Sequence, residues 1–239
     1  YMVIEEMVFQ TSSLHEKKFR YERKFLAEGI SVEQVHSIIK LHPAMFVMAY
    51  PARFVNNLYL DTEEMGNYFD NVDGVENRQK VRIRWYGDLF GEILKPVLEL
   101  KVKRGLVGTK FQYPFTPFQL GRGFSKNHYR AAMAQTQLPS LLTGAMRMLN
   151  IVLLNRYYRW YYATKDGRFR ITLDTQMQFH HVAQLNNHFV HQQSEHNYFV
   201  VELKYQLQDE REAQRVSSSF PFRVSKSSKY VQGIERVFA

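Results

Sequence analysis

Three short stretches of the sequence carry glutamate and lysine two residues apart: Glu22 and Lys24, Glu99 and Lys101, Glu202 and Lys204. Lys103 extends the second by the same step, Arg82 and Arg84 repeat it with arginine alone, and Arg168, Arg170, Thr172 and Asp174 make a further set. These residue types suit phosphate. Arginine offers a planar fork matched to phosphate oxygens, lysine a compact point charge, and a carboxylate among them suits a hard divalent cation. Cysteine is absent, which excludes disulfides, thiolate chemistry and cysteine-ligated zinc.

A spacing of two places side chains on one face of a β-strand. Period-two alternation reads as strands over Phe19–Leu26, Val55–Asp61, Gln79–Tyr86, Pro96–Lys103, Leu153–Tyr162, Arg168–Thr175 and Tyr198–Tyr205. Helical patterns fall between them. Ser31 and Gln34 form a capping box, Thr62 caps a short helix through Glu63–Val72, Asn127–Gln135 and Leu138–Leu149 follow, and Lys226–Val237 closes the chain. The Pro/Gly-rich stretch Tyr113–Gly123 joins the first strand group to the helical insert. Strands interrupted by occasional helices imply an antiparallel α+β fold, read as one domain over 1–239.

An amphipathic sheet with its charges in water shows the same alternation. Here, however, cations outnumber acids on the charged faces, and Arg82 beside Arg84 repels unless an anion lies between them. The opposite faces are apolar enough to sit under helices. A barrel with its charged face inward accommodates all of this if a polyanion or solvent fills the bore. The net charge of +9 points to an anionic partner, whether nucleic acid, a membrane surface or a phosphorylated small molecule. No apolar run has the roughly 20 residues of a membrane span, and Tyr1–Phe9, with Glu5 and Glu6 and no basic flank, is not read as a signal peptide. A cytoplasmic location is the expectation.

The stretch Arg20–Phe25 resembles the first strand of the triphosphate tunnel metalloenzymes, the CYTH superfamily, and Leu58–Thr62 is similar to its second. Within it, Arg82–Gly87, Leu98–Lys103, Tyr157–Arg159, Arg170–Thr175, Val201–Lys204 and Ser228–Tyr230 resemble the catalytic domain of the vacuolar transporter chaperone complex, a polyphosphate polymerase. The resemblance runs from about Arg20 to Gly233. It implies an antiparallel β-barrel tunnel with helices packed outside. It implies catalytic contacts to phosphate from Lys24, Arg82, Arg84, Lys101, Arg159 and Arg170, with further phosphate binding by Lys103, Lys204, Lys226 and Lys229. Glu202 would hold Mn²⁺ or Mg²⁺, with Glu99, Glu22 and Asp174 next in line.

In the superfamily's triphosphatases the first strand carries two glutamates, and Arg20 stands at the first of those positions. That favours the polymerase branch, in which a phosphate chain attacks the γ-phosphoryl group of ATP. The expected partners are therefore ATP, polyphosphate and tripolyphosphate, with no nucleic acid and no membrane segment. A metal-dependent triphosphatase and a non-catalytic polyphosphate-binding module are the rivals. The histidines between His180 and His196 lack zinc-motif spacing and read as a polar hairpin. Gly105, Gly108, Gly121 and Gly123 read as turn residues, and Ser217–Ser219 lacks the surroundings of a nucleophile.

Overall fold

The computed structural model describes residues 20–104, 107–183, 185–189, 192–195 and 198–238. Tyr1–Phe9, Phe19, Gly105, His191 and His196 lie outside them, and only the backbone of Arg20 is described. Among the described residues no helix is long and apolar enough to cross a membrane.

The elements run β1 (Arg20–Glu28), α1 (Val32–Lys40), β2 (Val47–Asp61), α2 (Gly66–Val72), β3 (Arg78–Tyr86), β4 (Gly91–Ile93), β5 (Val97–Arg104), β6 (Val107–Pro114) and β7 (Phe118–Leu120). They continue with α3 (Lys126–Gln135), α4 (Ser140–Arg147), β8 (Asn150–Ala163), β9 (Arg170–His181), β10 (Gln193–Glu195), β11 (Tyr198–Gln206), α5 (Glu210–Ser218), β12 (Arg223–Val224) and α6 (Lys229–Phe238). The main sheet has the order β12-β1-β11-β9-β8-β2-β3-β5-β6, with β10 beside β9, and β4 pairs with β7 separately. Every pairing is antiparallel.

The expected α+β fold is present, with a curled sheet in place of a closed ladder. No pairing joins β6 to β12 or β1 among the described residues. Side chains nevertheless meet across the gap: Lys101 on β5 donates to Glu22 on β1 at 3.0 Å. Strands from the two ends of the sheet can touch in this way only if the face they share is concave.

The opposite, convex face is apolar and covered by helices. Leu58, Leu60, Val81, Ile83, Leu98 and Leu100 pack with Tyr129 and Met133 of α3 and Leu142 and Met146 of α4. Phe25, Leu173, Val201 and Leu203 pack with Val35 and Ile39 of α1 and Ala213 and Val216 of α5. The Ser31 capping box forms as the sequence predicts, with Ser31 N–H donating to Gln34 Oε1 at 2.7 Å and Gln34 N–H to Ser31 Oγ at 3.3 Å.

The last helix departs from the expectation that all helices lie outside. Tyr230 and Ile234 of α6 pack with Val55, Tyr59, Leu153, Tyr157, Met177, Phe179, Tyr198 and Val200. These share the parity of Asn57, Arg159 and Glu202, so α6 lies on the concave face. The physical reason is a bulge. Gln176 takes φ +50°, and the β8–β9 register shifts between Arg156 and Tyr158. Even-numbered Thr172 and Asp174 face inward before the shift, and odd-numbered Met177 and Phe179 after it. The concave face is thus charged in one part and apolar in another, and α6 covers the apolar part.

Smaller corrections follow from local chemistry. Val47–Asp61 is one long strand that begins well before Val55. Asp61, rather than Thr62 alone, caps α2: its carboxylate accepts from the N–H groups of Thr62, Asn67 and Tyr68 at 2.7, 2.8 and 2.9 Å, and from the Tyr230 hydroxyl. The helix therefore starts at Gly66, not Glu63. Arg168 precedes β9 and pairs with Asp209 and Glu212 beside α5, off the inward-facing set.

Gly233 sets how closely α6 approaches the sheet. A Cβ there would lie against Leu153 Cδ2 and 2.7 Å from Phe179 Cδ1, and both side chains are fully buried. Gly233→Ala should therefore destabilise the protein by about 1–3 kcal/mol through overpacking, more than the gain of about 1 kcal/mol in helix propensity. Thermal denaturation should show a melting temperature lower by several degrees; an unchanged or higher value would mean that α6 is not held by this contact.

Candidate functional site

The charged part of the concave face is organised around carboxylates. Glu99 on β5 is 2 % exposed and lies opposite Arg82 on β3. Arg82 donates through Nε and Nη2 to Glu99 Oε2 at 2.8 and 2.6 Å, and Arg84 Nη1 approaches the same oxygen at 3.4 Å. Lys110 and Gln112 on β6 donate to Oε1 at 2.9 and 2.7 Å. Burial alone would raise the Glu99 pKa; Arg82, Arg84 and Lys110 outweigh it and hold the carboxyl well below its usual range. The anion required between Arg82 and Arg84 is therefore Glu99, supplied by the chain itself. Their repulsion is already offset in the protein as it stands. Arg84 also donates to Asn57 Oδ1 at 2.9 Å and to the Tyr157 hydroxyl at 3.2 Å.

Asp174 on β9 is fully buried. Arg159 on β8 grips it in two-pronged fashion, Nε to Oδ1 at 2.5 Å and Nη2 to Oδ2 at 2.7 Å, and Lys229 of α6 reaches Oδ2 at 2.6 Å. Burial opposes ionisation of Asp174, but Arg159 and Lys229 bring its pKa down to about 2. Arg159 and Lys229 both lie over the Tyr157 ring, each 5.0 Å from its centroid.

The third group is less tightly enclosed. Glu202 on β11 accepts from Thr172 Oγ1 at 3.4 Å and faces Lys204 Nζ at 3.5 Å. Lys204 also approaches Glu22 at 4.0 Å. Burial would raise the Glu202 pKa, yet Lys204 and Lys24 hold it well below the usual range. Lys24 donates to the Ser227 carbonyl at 3.1 Å, and burial lowers its ammonium pKa in spite of Glu202 and Glu22. Lys101, the partner of Glu22, is half-exposed.

Lys103 and Lys226 lie close enough together that Lys226 adds to the effect of burial in lowering the Lys103 pKa. Arg170 opens β9 opposite Lys204 and is exposed. Lys24, Arg82, Arg84, Arg159, Lys204 and Lys229 thus line the interior, while Lys101, Lys226 and Arg170 stand nearer its edge. Sequence reasoning passed over Lys80, which shares the parity of Arg82 and Arg84. It donates to Ser228 Oγ at 2.8 Å, and burial together with Lys24, Lys101, Arg78 and Arg82 pushes its pKa well below the usual lysine value. Lys110 and Gln112 were missed because β6 was not read as a strand.

Among the described residues no three carboxylates or histidines converge as a metal cage. Glu99 and Asp174 have their oxygens committed to guanidinium and ammonium groups. Glu202 and Glu22, which share Lys204, are the carboxylate pair with capacity left. Two carboxylates with the rest of the shell completed by substrate phosphates and water suit Mg²⁺ or Mn²⁺, so the donor set fits a metal that arrives with its ligand.

Asp174→Asn tests the interior pairing. It leaves Arg159 and Lys229 buried without their counter-charge and should cost about 3–5 kcal/mol at neutral pH. Because the folded-state pKa is depressed, the carboxylate's stabilisation is present above its unfolded pKa near 4 and is lost as pH falls toward 2, an amount of about 2 kcal/mol. Denaturant unfolding at pH 7, 4 and 2.5 should show the gap between wild type and variant narrowing below pH 4. A gap that does not depend on pH would contradict the pairing.

A solved structure of a candidate adenylate cyclase from Vibrio parahaemolyticus superimposes with a TM-score of 0.51 at 11 % identity, covering 91 % of this chain and 99 % of its own. A Pyrococcus horikoshii protein gives 0.47 at 12 % identity over 90 % and 96 %. A candidate adenylyl cyclase from Hippeastrum with a dominant triphosphatase activity gives 0.45 at 14 % identity over 90 % and 96 %. No curated protein matched the sequence. The family model for the VTC domain matches residues 19–238, which spans every element from β1 to α6. The chain belongs to the VTC domain family.

Proposed function

We propose that this domain is a polyphosphate polymerase: a metal-dependent phosphotransferase that passes the γ-phosphoryl group of ATP to a growing polyphosphate chain. The observation that carries this reading is the convergence of Lys24, Lys80, Arg82, Arg84, Arg159, Lys204 and Lys229 on one concave surface. Such a surface would hold a compact chain of phosphates, whereas a rigid duplex would not enter it. Phosphoryl transfer needs positioning and charge neutralisation more than a protein nucleophile. A terminal phosphate oxygen of the acceptor would attack the γ-phosphorus in line. The new P–O bond forms as the bond to the β-phosphate oxygen breaks, and ADP leaves.

Arg82, Arg84 and Arg159 would orient the transferring group, and Lys24, Lys80, Lys101, Lys204 and Lys229 would offset charge along the chain. Lys103, Lys226 and Arg170 would extend the path outward. Glu202, with Glu22, would hold Mn²⁺ or Mg²⁺, which would supply positive charge to offset the charge that develops on the transferring group. The conversion of phosphate repulsion into binding is the role of the side chains themselves.

Incubation with ATP and Mn²⁺, with products resolved by length, tests this reading. Chain growth is expected. Orthophosphate release alone would identify a triphosphatase, and tight tripolyphosphate binding without turnover a binding module. Glu202→Gln should cut turnover by about 10³ or more, because a lost metal contact is worth several kcal/mol in the transition state. Its metal-free affinity for tripolyphosphate should hold or rise. Near-normal metal-dependent turnover would make Glu202 a counter-ion of Lys204 only.

A further inference from the structure

We propose that the concave face continues beyond its phosphate-binding cations into a platform for the base of a nucleoside triphosphate, built from Arg53, Tyr86 and Tyr161. This inference rests on the triphosphate reading above and adds the part of the substrate that is not phosphate. Tyr86 follows Arg84 by two residues on β3, and Tyr161 follows Arg159 by two on β8. Each therefore stands on the same face as its arginine, about 7 Å further along the strand. Arg53 lies opposite Arg159 in the β2–β8 register.

The guanidinium of Arg53 sits 4.0 Å from the centroid of the Tyr86 ring and 5.4 Å from that of Tyr161. Its Nε donates to the Tyr161 hydroxyl at 3.3 Å. Tyr50 adds a wall, with its ring edge-on to Tyr161 at 6.0 Å. The group is open to solvent: Tyr50 is 61 % and Tyr86 48 % exposed.

Its chemistry differs from the interior. Each interior arginine meets a carboxylate, as Arg82 and Arg84 meet Glu99 and Arg159 meets Asp174. Arg53 has no carboxylate partner among the described residues; its neighbours are phenol rings and, at longer range, Arg159. A planar cation stacked on one aromatic ring keeps its edge donors and adds a π-face to those of the exposed tyrosines beside it. Such a surface takes a flat heterocycle by stacking. On β3 and β8 the aromatic side chains begin where the inward-facing cations of those two strands end, as a nucleotide's base follows its triphosphate.

The test compares binding of ATP and tripolyphosphate, without metal, to wild type, Tyr86→Ala, Tyr86→Phe and Arg53→Ala by titration calorimetry. Tyr86→Ala should weaken ATP about ten-fold or more and leave tripolyphosphate within two-fold, and that unchanged affinity also reports that the variant is folded. Tyr86→Phe should bind ATP nearly as wild type does. Arg53→Ala should weaken ATP more than tripolyphosphate. Equal losses for both ligands would make Arg53 a phosphate contact and overturn the platform, as would ATP affinity unaffected by all three changes. A wild-type protein that binds neither ligand would remove the triphosphate reading and the platform together. One that binds both while the variants do not discriminate would remove the platform alone.

Discussion

Charge held away from water must meet opposite charge, and the rest of this structure is arranged around that requirement. Glu99, Asp174 and Glu202 are each 8 % exposed or less and each faces at least one cation. Two of the contacts run between directly paired residues, Arg82 opposite Glu99 and Arg159 opposite Asp174. A one-residue slip in either ladder would turn the charges toward the helices and the leucines toward the interior. Strand register and site geometry are therefore one constraint. The same pairs that fix the sheet also hold the arginine forks in place before any ligand arrives.

The interior is not uniformly polar, and α6 exists because of that. Leu153, Met177, Phe179 and Val200 would otherwise expose an apolar floor beside the cations. The helix covers this floor with Tyr230 and Ile234 while its first turn turns to the charged side, where Lys229 meets Asp174 and Ser228 meets Lys80. One element thus completes both halves. A change at Gly233 in how α6 seats on Phe179 would be felt at Lys229, four residues away on the same helix.

The inward-facing charges were legible because strands have a period of two: Lys24, Arg82, Arg84, Glu99 and Glu202 fall where alternation places them. Lys80 obeyed the same rule and was passed over for want of a neighbouring motif. The capping box at Ser31 was legible because its chemistry lies within four residues. The position of α6 was not. It depends on the bulge at Gln176, where a residue in a left-handed conformation reverses which side chains point inward, and no local pattern announces such a reversal. The short strands β4, β7 and β12 are likewise defined by their partners rather than by any periodicity of their own. Glu99 shows a different limit. Its type and spacing were visible, but that it would occupy the arginines itself follows only from the three-dimensional register.

The pairing of β1 with β11 has a consequence for how the protein comes into being. Glu22 and Lys24 lie opposite Lys204 and Glu202, and Lys24 also bonds to the Ser227 carbonyl. The first strand of the sheet therefore finds its partners only after the elements from α1 to β11 have been made. Loop closure over such a distance is entropically costly and belongs to slowly folding topologies. During synthesis β1 would wait with both edges unpaired, and its Glu-x-Lys alternation then has a second use. Charged side chains on a waiting strand discourage association with other strands, so the residues that line the finished interior also protect the unfinished chain.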